Sequence, residues 1–359
     1  MASNEDARAA REAKLDELHE KLTGAVESLI SGDDWREALA FAARFRSRSF
    51  NNTMLIWVQH EAAFEAGRVP EPFPTLVAGY RQWQGLGRQV MKGQPGYMIF
   101  APVTGRFASS NPADPNSWRR LGPREKHKVN EVVRSRMVGA RPAYVWDASQ
   151  TDGEPLPVPP APTLLEGEAP SGLWEGLAGQ IRGAGFEVLR VPHEGMISGA
   201  NGLTDYEART VAVRENMDHA AQVKTLAHEL AHVLMHDPDD EEARQHRGIR
   251  EVEAESVALM IGAAHGMDTA GYTIPYVSTW AARVDGQEPV QVVQATGERV
   301  RKTALAILDQ LDTLQVGDGT PPGLERDTPS PRTSRTAARA VETDRPRAAP
   351  VPELAVRGL

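Results

Sequence analysis

His228-Glu229-Leu230-Ala231-His232 stands inside an Ala/Leu-rich run without Gly or Pro, from Ala221-Gln222-Val223-Lys224-Thr225-Leu226 through Val233-Leu234-Met235. The apolar periodicity of that run predicts a helix. On a helix, positions four apart lie one above the other on the same face. His228 and His232 can therefore aim two imidazole nitrogens at one cation. Glu229, next along the chain, is angled so that its carboxylate reaches a water on that cation rather than the cation itself. The bland reading is two surface histidines beside an unrelated acid; the amphipathic helical context favours Zn2+.

Zinc needs a third protein ligand and, in a catalytic site, a fourth position left to water. The chain contains no cysteine, so histidine and carboxylate must hold the ion. Arg250-Glu251-Val252-Glu253-Ala254-Glu255-Ser256-Val257-Ala258 also reads as a helix, with Glu251 and Glu255 on one face and Glu253 pointing elsewhere. Glu251 follows His232 by nineteen residues, a spacing that resembles zincins whose third ligand is a glutamate on the next helix. We take His228, His232 and Glu251 as the metal set, Glu229 as the general base, and Glu255 as the acceptor for the N–H of a ligating histidine. The reverse assignment of Glu251 and Glu255 stays open. His236 reads as a solvated histidine at a helix end. Each further step of four drifts about 40° around an ideal helix, and the run stops at Asp237-Pro238. Met235 also stands where the longer H-E-x-x-H-x-x-G-x-x-H pattern needs glycine.

A chain of 359 residues is long enough for two domains and tails. Residues 1–34 read as an N-terminal amphipathic helix with Leu15, Leu18, Leu22, Val26 and Leu29 on one stripe, broken at Gly32-Asp33-Asp34. Asp33 or Asp34 could cap a second helix from about Trp35 to Arg46, and Ser49-Phe50-Asn51-Asn52 opens a third. Between Gly79 and Val103 short strand-like pieces alternate with glycines, and residues 104–140 look like a polar insertion. Ala143-Tyr144-Val145-Trp146 reads as a strand, and a first domain runs over 35–155. Residues 156–170 are a Pro-rich linker, 171–315 a second domain, and 316–359 a disordered tail rich in Pro, Arg, Thr and Ala. Thr210-Val211-Ala212-Val213 reads as a strand whose edge could pair an extended peptide. Tyr272 or Tyr276 could donate to an oxyanion, and both are equally good core residues.

The net charge of −9 argues against a wholesale nucleic-acid binder, but the average hides a segregation. Fifteen Lys/Arg face only six Asp/Glu between residues 41 and 139, interleaved with Phe50, Trp57, Tyr80, Trp83, Tyr97 and Phe100. Cations that follow phosphates and aromatic faces that stack bases are what single-strand binding requires. A solvated basic face over an aromatic core explains the same residues equally well. No stretch approaches the length of a membrane span, and Met1-Ala2-Ser3-Asn4-Glu5-Asp6 lacks the order of a signal peptide. The expectation is a soluble, cytoplasmic protein with no membrane partner.

Three N-terminal stretches, taken together and in order, resemble the N-terminal domain of ArdC-type antirestriction proteins. They are Phe50-Asn51-Asn52-Thr53-Met54-Leu55-Ile56-Trp57, Gly79-Tyr80-Arg81-Gln82-Trp83, and Gly87-Arg88-Gln89-Val90-Met91-Lys92-Gly93-Gln94-Pro95-Gly96. The histidine motif and Glu251-Val252-Glu253-Ala254-Glu255-Ser256-Val257-Ala258 resemble zincin-like metallopeptidases of the ImmA/IrrE type. The resemblance implies an α+β chain: an N-terminal α+β domain that binds single-stranded DNA, then a zincin-like (gluzincin-type) metallopeptidase domain. It implies Zn2+ as cofactor, single-stranded DNA as partner, and a protein or peptide as substrate. Arg81, Trp83, Arg88 and Lys92 are the expected DNA contacts. The function so implied is a DNA-associated zinc metallopeptidase with an antirestriction or mobile-element role. The alternative is a DNA-binding antirestriction protein whose zinc is structural or not proteolytic; Glu229 favours the first.

Overall fold

Ser31 and Ser49 start two of the helices that build the N-terminal core, and each does so with its hydroxyl. The computed structural model describes residues 4–156, 167–236, 247–270, 272, 274–275, 277–282, 284 and 286–324. The first three helices are α1 (Asn4–Glu27), α2 (Gly32–Arg44) and α3 (Phe50–Glu65). Ser31 Oγ accepts from the Asp34 N–H at 3.1 Å while Asp34 Oδ2 accepts from the Ser31 N–H at 2.7 Å. This reciprocal capping box satisfies two otherwise orphaned donors. The cap is thus Ser31 rather than Asp33 or Asp34, and the helix begins at Gly32 instead of Trp35. Ser49 Oγ caps α3 through the Asn52 N–H at 3.3 Å. Of the stripe on α1, Leu18, Leu22 and Val26 are buried, together with Leu29 just beyond the helix.

Three sheets follow. A four-stranded antiparallel sheet has the order β1 (Val77–Gly79), β5 (Val132–Asp147), β3 (Tyr97–Ser109), β4 (Arg119–Arg120). The long strand β3 pairs with β5 over its whole length, with a one-residue slip between Val103 and Thr104. The segment 104–140, read from sequence as an insertion, is therefore the distal part of this ribbon. A helix, α4 (Tyr80–Gly85), interrupts the region expected to hold only short strands. β2 (Arg88–Val90) pairs with β6 (Thr151–Gly153).

In the C-terminal part, α5 (Leu173–Gly183) precedes a sheet of order β7 (Glu187–Val191), β9 (Thr210–Arg214), β8 (Gly202–Asp205). β9 is central, parallel to β7 and antiparallel to β8. The expected peptide-pairing edge at Thr210–Val213 is therefore already taken on both sides, and the edge belongs to β8. Next come α6 (His219–Met235), α7 (Arg247–Ala264), the short α8 (Val277–Ala281) and α9 (Pro289–Leu308).

One apolar core joins the helices on both sides of the Pro-rich segment, from Leu18, Trp35 and Phe50 to Val257, Trp280 and Ile307. Trp35 on α2 is fully buried; it donates its indole N–H to Ser256 Oγ on α7 at 3.0 Å and packs against Phe50 and Trp280. Gly297 on α9 is required there, since a Cβ would lie 2.7 Å from the Phe50 ring. Residues 316–324, which composition places in the tail, are tied into the same unit: the Arg46 guanidinium donates to Val316 O at 2.9 Å, and the Val77 N–H to Gly319 O at 2.8 Å. The tail beyond Leu324 and linker residues 157–166 lie outside the described residues. No described helix is long and apolar enough to cross a membrane.

Candidate metal centre

Asp218 caps α6 by accepting from the Ala221 N–H at 2.7 Å, which fixes where the helix starts and so where its histidines point. Leu226, Leu230 and Ala231 are fully buried on one side. On the other, His228 and His232 bring their Nε2 atoms within 3.1 Å of each other. Glu251, on the first turns of α7, places Oε2 3.6 Å from His228 Nε2 and 3.7 Å from His232 Nε2. A tetrahedral ion with bonds of ~2.0–2.1 Å separates its ligand atoms by ~3.3 Å. The triangle of 3.1, 3.6 and 3.7 Å thus fits one small divalent cation.

The outer nitrogens complete the test. His228 Nδ1 lies 3.1 Å from Glu255 Oε2, whose other oxygen takes a 2.9 Å bond from Lys224. His232 Nδ1 lies 2.9 Å from His236 Nδ1, and His236 Nε2 is 3.1 Å from Glu253 Oε2. Glu253 Oε1 in turn accepts from Arg299 on α9 at 2.6 Å. With protons on both outer Nδ1 atoms, each has an acceptor, and both Nε2 lone pairs are left for the cation. Glu251 lies against the two inner nitrogens and Glu255 against an outer one, so Glu251 could take a ligand's place and Glu255 an outer acceptor's. His236 departs from expectation: it is only 3% exposed and forms the second outer link. Glu253 does face away from the triangle, but it anchors His236. The signal available in sequence was the third step of four, His228, His232, His236, pointing at acids on the next helix.

Charge follows the same geometry. Burial alone would lower His228, but hydrogen bonds to Glu251 and Glu255 and the field of Glu229 outweigh it and push it up to about 9. The same histidines, His228 foremost, hold Glu251 well below the usual carboxylate range. Burial pushes His236 down against the opposing bond from Glu253.

Glu229 stands apart from the ligand triangle. Its side chain is 7% exposed, and Oε2 accepts from Thr204 Oγ1 of β8 at 2.6 Å. Gly202 on the same strand makes room for it, since a Cβ there would sit 2.7 Å from Glu229 Oε1 and 2.6 Å from Thr225 Cγ2. A cleft of about 630 Å³ opens beside this point, along the first turns of α6. Asn201, Asp218, Lys224, Thr225, Asp268 and Tyr272 are among its lining residues. Tyr272 is buried and donates its O–H to Ala258 O at 3.1 Å, so it is a core residue rather than an oxyanion donor. Tyr276 lies outside the described residues.

The expected DNA contacts separate. Trp83 is fully buried and donates to Trp146 O at 3.0 Å, so its ring has no face for a base. Arg88 is spent on the β2–β6 strand pair through Thr151 and Glu154. Arg81 and Lys92 are exposed. Beside Arg81, Tyr80 is 47% exposed and rests edge-on against Trp146.

Two histidines and a glutamate converge from adjacent helices, with a separate buried carboxylate beside a sheet edge, an arrangement that could hold a metal ion. Residues 184–273 match the family of IrrE N-terminal-like domains, and residues 10–146 match the N-terminal domain of the anti-restriction factor ArdC. The chain thus carries an ArdC-type N-terminal domain followed by an IrrE-like domain. An uncharacterized protein of Bacillus anthracis is 22% identical over 311 residues, covering 81% of this chain and 50% of that protein. The chain thus spans about half the length of this curated relative. The antirestriction ArdC protein from plasmid R388 is similar in its metal-free crystal structure (18% identity, TM-score 0.43, covering 73% of this chain and 84% of that one). Its Mn(II)-bound structure is similar at 19% identity and a TM-score of 0.40, covering 73% of this chain and 88% of that one.

Proposed function

We propose that this chain is an ArdC-like, DNA-associated zinc peptidase. Its IrrE-like part hydrolyses a peptide bond with Glu229 as general base, and its N-terminal part binds single-stranded DNA in an antirestriction or mobile-element role. The observation that carries the reading is the placement of Glu229. A metal site that only braces the fold has no use for a second buried carboxylate bonded to the neighbouring strand instead of to either histidine, and burying such a group is costly.

Zinc held by His228, His232 and Glu251 would supply Lewis acidity and make a water molecule more acidic. Glu229 accepts a proton from that water at a carboxylate oxygen and returns it to the leaving amine nitrogen. Thr204 holds the carboxylate in place for both transfers. β8 offers an extended peptide an edge to pair with, and the adjoining cleft has the size of a ligand site. On the N-terminal part, Arg81 and Lys92 attract phosphates and Tyr80 offers the exposed ring that buried Trp83 does not.

The test compares purified wild type with Glu229→Gln for zinc content by mass spectrometry and for cleavage of casein with and without a single-stranded oligonucleotide. Both proteins should carry one zinc, and only wild type should cleave. Equal cleavage by the variant would rule out the general base. Zinc and DNA binding without any cleavage would favour a non-proteolytic antirestriction protein, a reading supported by the engagement of Tyr272 with Ala258.

A further inference from the structure

The distal half of the β3–β5 ribbon carries a built array of cations that the metal centre and the Tyr80 surface leave unused. Along β5, Arg134 and Arg136 share a face, and Arg134 is paired across the ladder with Phe107, which is paired in turn with Arg120 on β4. The guanidinium carbons of Arg134 and Arg136 lie 5.0 Å and 4.9 Å from the Trp118 ring centre, and Arg136 lies 5.7 Å from that of Phe107. Arg120, Arg134 and Arg136 are all exposed, and none forms an ion pair with a carboxylate among the described residues. The acids nearby are already engaged: Glu125 and Glu131 both bind Arg119. The face therefore presents three unneutralised guanidinium groups, two of them lying over aromatic rings.

We propose that this ribbon is a second nucleic-acid surface, one that grips the phosphate backbone of duplex DNA. Two features favour a duplex over a single strand. Single-strand binding uses exposed aromatic faces on which bases stack; here guanidinium groups already cover Trp118 and Phe107. The arginines are also set on hydrogen-bonded strands, with residues two apart separated by ~6.8 Å. A fixed array gains most from a partner whose phosphates are themselves fixed, and a β-ribbon is narrow enough to enter the major groove. A cation–π contact leaves the N–H groups of Arg134 and Arg136 available for a bidentate bond to a phosphate. The inference does not rest on the peptidase reading.

The experiment uses the full chain and measures binding to a fluorescent duplex and to one of its strands by anisotropy as salt is raised. The variant R120A/R134A/R136A should lose at least about tenfold in duplex affinity and keep its single-strand affinity within about twofold. Each phosphate contact contributes about 0.9 to the salt slope, so wild type should lose about 40-fold more duplex affinity than the variant between 50 and 200 mM salt. The lysine triple R120K/R134K/R136K keeps the charge and loses the bidentate fork, and should fall between the two. If the alanine variant does not fold, this variant alone decides. Duplex affinity unchanged in either triple, an equal loss for the single strand, or a wild type that ignores duplex DNA would overturn the proposal. So would an acidic protein that binds the ribbon where duplex does not.

Discussion

Thr204 on β8 donates its hydroxyl to Glu229 Oε2 on α6 across 2.6 Å, so the sheet edge and the buried carboxylate are one mechanical unit. A hydrogen bond to a charged group contributes about 1.5–3 kcal/mol, and leaving the group short of a donor costs its desolvation. Thr204→Val keeps the shape and removes the donor. It should lower unfolding stability by about 2 kcal/mol in a denaturant titration and leave zinc content unchanged, while Thr204→Ser stays near wild type. Identical unfolding midpoints for all three proteins would show that the bond contributes nothing.

Gly202→Ala tests the same contact from the other side. The added methyl meets Glu229 Oε1 at 2.7 Å and Thr225 Cγ2 at 2.6 Å, and Thr204 restrains the carboxylate from moving away. Overpacking of this kind costs about 1–3 kcal/mol. Thr225→Ala removes one of the two clashes and should restore part of the loss in a double-mutant cycle. Strict additivity of the two substitutions would contradict the packing.

The ligand set gives an ordered series. His228→Ala should lose nearly all bound zinc, and Glu251→Ala should weaken the site. Glu255→Ala should keep the ion with about 10–100-fold lower affinity, as an outer partner does. Full zinc in Glu251→Ala together with loss in Glu255→Ala would exchange the two roles.

His236 and Glu253 extend that series to the second outer link. A solvated helix-end histidine would be indifferent to replacement. A buried one hydrogen-bonded to His232 Nδ1 is not. His236→Ala should reduce zinc affinity about 10–100-fold in calorimetric titration, with Glu253→Gln in the same direction. A wild-type affinity in His236→Ala would return the residue to the role its sequence position first suggests.

Zinc uptake should depend on pH with a defined sign. His228 in the metal-free protein titrates at about 9, above its ordinary 6.5, so at neutral pH a cation must displace a proton. That proton stabilises the metal-free fold fully below about pH 6.5, and the contribution disappears as pH rises through about 9. Metal affinity runs the opposite way, rising about tenfold per pH unit until His228 is neutral. Zinc titrations in that window should show one proton released per ion; a pH-independent affinity would refute the coupling.

The parts of this site that sequence made legible are those set by local periodicity. His228, Glu229 and His232 share one helix, and Glu251 and Glu255 repeat the same spacing on the next, so helical geometry alone arranges them. His236 was misread because its burial depends on Glu253 from α7 and Arg299 from α9, neither of which its neighbours announce. β8 is only four residues, Gly202 to Asp205, too short for alternation to stand out. Trp83 looked like a stacking platform because aromatic and basic residues alternate there, yet α4 turns it into the core and leaves Tyr80 outside. Ser31 outranked two aspartates as a cap because the hydroxyl and Asp34 satisfy each other's backbone donors. In each case the deciding partner is remote, or is a backbone group that composition does not display.

Trp35 and Ser256 join the ArdC-type stretch to the helix that carries Glu251, through one buried bond. The two matched regions are therefore not modules that recombination can shuffle freely. A chimaera that took its N-terminal part from another lineage would bring a tryptophan shaped for a serine it no longer meets, beside a Phe50 that needs Gly297. Across descent, these four positions should be inherited as a set, and the N-terminal and C-terminal matched regions should carry one shared genealogy.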